Sequence, residues 1–269
     1  MPLQSEWIRY GDQAGYLARP GRAAGPLPGV LVIQEVWGVD EHIEDVTRRL
    51  AAAGYTALAP DLFAADGVRP ATLERERVKE VQAFMSSLPP AAWGDPAARD
   101  AALATLPAAE AERIEASRSA LFGHIGQLDR MVPALRAAVR HLRTSAWSEG
   151  QPVACVGFCM GGGLSALLAC EEPELAGAAI FYGSAPPLER VPRIQCPVAG
   201  FYGELDGRVN AGLPAFAEAM AAAGKAFEYQ VYPGAAHAFF NDTRASYNIP
   251  AARDAFARLL EFFRRTTAT

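Results

Sequence analysis

The sequence predicts an α/β fold: a mostly parallel, doubly wound sheet flanked by helices, with a helical insertion after the early strands. Three observations carry this. Short, continuously apolar runs recur along the chain, as in strands buried on both faces of a parallel sheet. Amphipathic stretches of helical period separate them, and that alternation marks strand–helix–strand units. The 269 residues, 51% hydrophobic and 20% charged, also suffice for one large core.

Taken in order, residues 6–10 and 15–19 read as an antiparallel hairpin on the sheet edge. Strands follow at 30–33, 56–59, 152–156, 178–182, 197–202 and 227–232, each bounded by glycine or proline. Helices are predicted at 41–53, 124–142, 160–169, 213–223 and 251–263. Gly54 and Gly224 directly follow two of them, where a residue free to take positive φ ends a helix. Residues 66–123 carry no strand signal. Pro89, Pro90, Gly94, Pro96 and Pro107 divide them into short helical stretches, at 72–86 and 108–121. Val78, Val81, Phe84 and Met85 share one face, which predicts an ordered helical cap or lid rather than a disordered linker. No repeat or linker divides the chain, so 1–269 reads as a single domain.

Charge and cysteine usage narrow the function. The formal charge is −5 and the lysines are Lys79 and Lys225, so no basic patch suggests nucleic acid. The apolar runs fall well short of the roughly 18 residues of a membrane helix. Cys155, Cys159, Cys170 and Cys196 form no CxxC pair and lack metal-ligand spacing with histidine, so no metal site is expected. The first residues show no basic segment followed by an apolar one, which makes a reducing cytoplasm the expected compartment. Monomer and homodimer both remain open.

The sharpest local signal is Gly157-Phe158-Cys159-Met160-Gly161, between a predicted strand and a predicted helix. It is the Gly-x-nucleophile-x-Gly turn with cysteine as nucleophile. Such a turn holds the nucleophile above the sheet at a helix N-terminus, and glycines at its flanks let strand and helix cross closely. Asp206 follows after the strand at 197–202 and His237 after the strand at 227–232, giving the order nucleophile, acid, histidine. Glu204 is a rival to Asp206 as the acid. Glu35, directly after the strand at 30–33, points into the crevice at the strands' carboxyl ends or is a solvated turn residue. His42, His124 and His141 lie in helical patterns and read as surface or packing residues.

Gln34-Glu35-Val36-Trp37-Gly38, Pro60-Asp61-Leu62, Gly157-Phe158-Cys159-Met160-Gly161-Gly162, Gly203-Glu204-Leu205-Asp206 and Gly234-Ala235-Ala236-His237 resemble the dienelactone hydrolase family, of carboxymethylenebutenolidase type. The resemblance runs from about residue 5 to 265, with 66–123 outside it. It implies an α/β-hydrolase fold and a Cys159–His237–Asp206 triad that needs no cofactor. It implies that Glu35 holds the resting thiol off the histidine and takes the thiol proton when substrate arrives. It also implies an oxyanion hole at the N–H groups of Met160 and Val36, which agrees with one donor after the nucleophile and one after an early strand.

The family pattern is not fully kept. Ala238 follows His237 where serine is expected, and Asn241 stands in place of one substrate-gripping arginine; Arg244 comes three residues later. The expected partner is therefore a small ester or lactone that Cys159 attacks to give an acyl-thioester. Trp37 and Tyr182, each just past a strand, are candidate pocket walls, with ordinary aromatic packing as the alternative. A hydrolase fold that binds ligand without catalysis is the rival function, and selective alkylation of Cys159 separates the two. Redox sensing through Cys159 has no resolving cysteine nearby in sequence.

Overall fold

The computed structural model describes residues 3–268, apart from the side chains of residues 90 and 91. Residues 1, 2 and 269, at the ends of the expected domain, lie outside the described residues. Eight strands form one sheet: β1 Leu3–Tyr10, β2 Gln13–Pro20, β3 Gly29–Ile33, β4 Thr56–Pro60, β5 Val153–Phe158, β6 Ala178–Phe181, β7 Val198–Gly203 and β8 Phe227–Tyr232. Their spatial order is β1-β2-β4-β3-β5-β6-β7-β8. The hairpin β1–β2 and the pair β2–β4 are antiparallel; every later pairing is parallel.

Burial follows from this order. The strands from β3 to β7 are buried at every residue, as their unbroken apolar runs require, whereas the edge strands β1 and β8 expose alternate or longer stretches. Helix α1 (Glu41–Ala52) and the last helix pack their apolar stripes on one face through Ile43, Val46, Leu50, Leu259, Phe262 and Phe263. On the other face, Leu135, Val139 and Leu142 join Leu164, Leu168 and Phe216. Each such fully buried aliphatic or aromatic side chain contributes about 1.5–3 kcal/mol of transfer free energy. Helix α1 starts where Asp40 accepts from the Ile43 amide (3.1 Å), with Glu41 and Glu44 in its first turn and Arg49 in its last. Beyond it, Gly54 at φ 103° reverses the chain into β4.

Between β4 and β5 lie α2 (Arg75–Ser87), α3 (Pro96–Leu103), α4 (Ala108–Gly123) and α5 (Val132–Thr144). The Asp95 side chain caps α3 by accepting from the Ala97 amide (3.0 Å), and Pro96 begins it. The predicted helix over 124–142 is corrected: residues Ile125–Met131 form a 3-10 segment kinked at Gln127 (φ −137°, ψ 36°), and α5 begins only at Val132. Pro133 is the cause, because it lacks an N–H and its ring crowds the carbonyl four residues back. The remaining helices are α6 (Met160–Glu171), α7 (Gly207–Asn210), α8 (Leu213–Ala222) and α9 (Ile249–Thr266). No helix among the described residues is long and apolar enough to cross a membrane.

Candidate active site

The parallel strands bring Glu35, Cys159, Tyr182, Asp206 and His237 to their common carboxyl end, because each lies within five residues of the end of β3, β5, β6, β7 or β8. Cys159 sits between β5 and α6 with φ 54° and ψ −113°, a conformation unfavourable for a residue with a Cβ. Its N–H donates to the Phe181 carbonyl (3.0 Å), and its own carbonyl accepts from the Gly162 amide (3.0 Å), so neighbouring structure holds the strain. The flanking glycines are required by contact. A Cβ on Gly157 would lie 1.7 Å from the Gly161 carbonyl oxygen, and one on Gly161 would lie 2.3 Å from that of Ile33. Cys159 is half-buried at the start of α6. Cys155, Cys170 and Cys196 are buried, and burial pushes their thiols up to about 12, 11 and 11.

His237 Nδ1 lies 2.5 Å from Asp206 Oδ2, and Asp206 is buried. Burial opposes a charge on the imidazole. The hydrogen bond to Asp206 and the neighbouring Cys159 outweigh it and raise the His237 pKa to about 10. Between the two acids that the sequence left open, Asp206 is the one paired with His237. Glu204 instead accepts from the Gly234 amide (2.8 Å) and so braces the loop that carries the histidine. Ala238 at φ 59° turns that loop directly after His237.

Glu35 is 2% exposed, so it is a buried carboxylate and not a solvated turn residue. The Tyr182 hydroxyl donates to its Oε1 (3.2 Å) and the Asn241 amide nitrogen to its Oε2 (3.1 Å). Tyr182, expected as a pocket wall, leaves β6 at φ 38° and is fully buried: its hydroxyl turns inward to Glu35 while its ring meets His237 edge-on at 5.2 Å. Burial, with Glu35 alongside, raises its pKa well above the usual phenol value. The same two causes, in the same order, raise that of Asp40. Sequence reasoning saw Asn241 only as a departure from a pattern. The readable signal was a polar residue directly after Phe239 and Phe240, in a stretch that packs as core.

Met160 and Val36, the expected oxyanion donors, are both buried, at the first turn of α6 and in the turn after β3. As the first residue of α6, Met160 has an N–H without an intrahelical partner. Trp37 is 4% exposed, and its edges meet Trp93 at 6.3 Å and Phe122 at 5.7 Å, both from the segment between β4 and β5. The Arg244 guanidinium lies over its face at 4.7 Å. Trp37 also borders a cavity of about 350 Å³, shared with Gln82, Ser86, Thr243 and Arg244; Cys159, Asp206 and His237 do not line it. The other histidines pack: His42 against Phe158 and Phe240, His124 on Phe63, and His141 on Tyr10. Among the described residues, no group of three or more His, Cys, Asp or Glu side chains is placed to hold a metal ion.

Comparison with known proteins agrees with this architecture. A protein of Saccharolobus solfataricus named "Putative carboxymethylenebutenolidase" is 34% identical over 253 residues, covering 94% of this chain and 93% of its own. A protein of the same name from Methylorubrum extorquens is 32% identical, covering 93% of this chain and 76% of its own. The crystal structure of a "Putative Dienelactone Hydrolase" from Klebsiella pneumoniae superposes with a TM-score of 0.66 at 28% identity, over 98% of this chain and all of that one. The dienelactone hydrolase-like promiscuous phosphotriesterase P91, from metagenomic libraries, shares the fold at a TM-score of 0.71 and 22% identity, over 99% of both chains. The family model of the dienelactone hydrolases matches from residue 13 to residue 267. The match leaves only β1 of the sheet outside it, and the chain belongs to the dienelactone hydrolase family.

Proposed function

We propose that the chain hydrolyses a small ester or lactone through an acyl-thioester on Cys159. The observation that carries this reading is the convergence, at one sheet end, of a strained cysteine turn, the His237–Asp206 pair and a buried carboxylate. Glu35 takes the thiol proton when substrate enters, and the thiolate is paired with a His237 that burial disfavours but Asp206 and Cys159 keep charged. The sulfur attacks the carbonyl carbon, and the oxyanion is received by the Met160 and Val36 N–H groups. As the tetrahedral intermediate collapses, the C–O bond breaks and His237 gives its proton to the departing oxygen. Water then attacks the thioester while neutral His237 takes its proton. The acid product leaves, and Glu35 returns its proton to the sulfur.

A thiolate is itself a good leaving group, so attack reverts when the first product stays tethered. That favours lactones and activated esters whose leaving oxygen ionises easily. Cys159→Ala is expected to abolish turnover of p-nitrophenyl acetate, a loss on the order of a thousandfold or more. The acetyl group trapped at pH 5 should be found on Cys159 by mass spectrometry. Undiminished turnover in purified Cys159→Ala protein would sink the reading.

A further inference from the structure

Both hydrogen-bond donors to the Glu35 carboxylate found among the described residues are neutral, the Tyr182 hydroxyl and the Asn241 amide. Asn241 is fully buried, a costly place for an amide unless every polar atom has a partner. Its polarity is set by Thr243. Asn241 Oδ1 accepts from the Thr243 N–H (3.0 Å) and from the Thr243 hydroxyl (2.7 Å), which turns Nδ2 towards Glu35. The reversed amide would face its oxygen to the carboxylate and its nitrogen to the Thr243 N–H, and would keep at most the bond to the hydroxyl, which can also accept. The Asn241 N–H also donates to the Ala238 carbonyl (3.0 Å), at the turn that follows His237. The contact with Glu35 therefore joins the histidine loop to the end of β3.

We propose that Asn241, its amide oriented by Thr243, is a positioning residue that fixes Glu35 relative to Cys159 and the His237 loop. The inference rests on the reading of Glu35 as the acceptor of the thiol proton.

The test uses the full chain, p-nitrophenyl acetate as substrate, and iodoacetamide as a probe of the Cys159 thiolate across pH 4 to 9. Thr243 is exposed, so Thr243→Val removes the hydroxyl without disturbing the core and retains the backbone donor. It is expected to lower kcat about threefold with KM unchanged, and Asn241→Ala roughly tenfold, as loss of a charged hydrogen bond implies. In both, alkylation of Cys159 should slow along with kcat, because a Glu35 that is no longer held in place takes the thiol proton less readily. Thr243→Ser should restore the wild-type rates. Wild-type kcat and wild-type alkylation rates in Thr243→Val and in folded Asn241→Ala would overturn the proposal, as would a Thr243→Ser variant no better than Thr243→Val. Should Asn241→Ala fail to fold, Thr243→Val decides alone. Cys159→Ala keeps the two readings apart: if it is inactive while the Asn241 and Thr243 variants match wild type, only the positioning role falls. If Cys159→Ala is active, both fall.

Discussion

The crevice at the strand ends and the segment between β4 and α5 are held by different means. In the crevice, the backbone is restrained sterically: Cys159, Tyr182 and Ala238 sit at positive φ, and strand and helix touch through glycine. In the segment, guanidinium groups reach across long separations. Arg69 pairs with Asp61 at 2.6 Å and its Nη2 reaches the Val39 carbonyl; Arg75 pairs with Glu44 of α1, and Arg77 donates to Ser117 Oγ and the Arg113 carbonyl. Steric restraint fixes atoms but tolerates no added volume, whereas an ion-pair network tolerates volume and depends on a few single groups.

A methyl group in each region is the sharpest way to break that comparison. Gly161→Ala would set its Cβ 2.3 Å and 2.4 Å from the Ile33 and Gln34 carbonyl oxygens. Since backbone must move to admit it, a loss of about 3 kcal/mol or more is expected, measured by urea denaturation. Gly123→Ala, at the end of α4, meets nothing within 4 Å and has no positive φ. There the lower entropy of the unfolded chain should stabilise by about 0.5 kcal/mol. Equal effects of the two substitutions would remove the distinction.

The same contrast explains what was legible in the sequence. Glycine spacing, strand-end position and chain order are local signals, so the Gly157–Gly161 turn and the order Cys159, Asp206, His237 stood out, and the sheet could be read from its apolar runs. The direction of Tyr182 depends on a single dihedral reversal after Phe181, which no pattern announces. Asn241 gains its meaning only from Glu35, 206 residues away in sequence. Periodicity alone carries α5 back to residue 124, whereas Pro133 confines it to Val132 onwards.

The network should fail at Arg69 first. It and Asp61 are 13% and 5% exposed, so Arg69→Ala leaves a buried carboxylate without its cation. About 3 kcal/mol of destabilisation is expected, with faster proteolysis confined to 66–123. Loss at an exposed pair such as Arg258–Asp254 should stay below about 0.5 kcal/mol. A smaller effect belongs to the crevice. The folded His237 binds its proton more tightly than the ordinary 6.5: burial opposes the charge, yet Asp206 and Cys159 raise the pKa to about 10. Its pairing therefore stabilises the fold in full below pH 6.5, and that contribution is lost as pH rises towards 10. In urea titrations, the stability gap between wild type and His237→Gln should narrow from pH 6.5 to 10. A gap that widens over that range would contradict the charge assigned to the ring.

The smallest expected effect lies where the two regions meet. Trp37 follows the Val36 turn of the crevice, yet Trp93 and Phe122 meet its edges from the helical segment, and Arg244 covers its face. Trp93 is 37% exposed, so Trp93→Ala removes one edge contact and little core volume, which should cost about 1 kcal/mol or less. What it should change is substrate preference. With the edge of Trp37 uncovered, KM for p-nitrophenyl esters of longer acyl chains should shift relative to that for the acetate, while kcat on the acetate stays near wild type. Unchanged relative KM values across acetate, butyrate and hexanoate would mean that this contact serves packing alone, and the wall of the acyl pocket would have to be sought among the crevice's own residues.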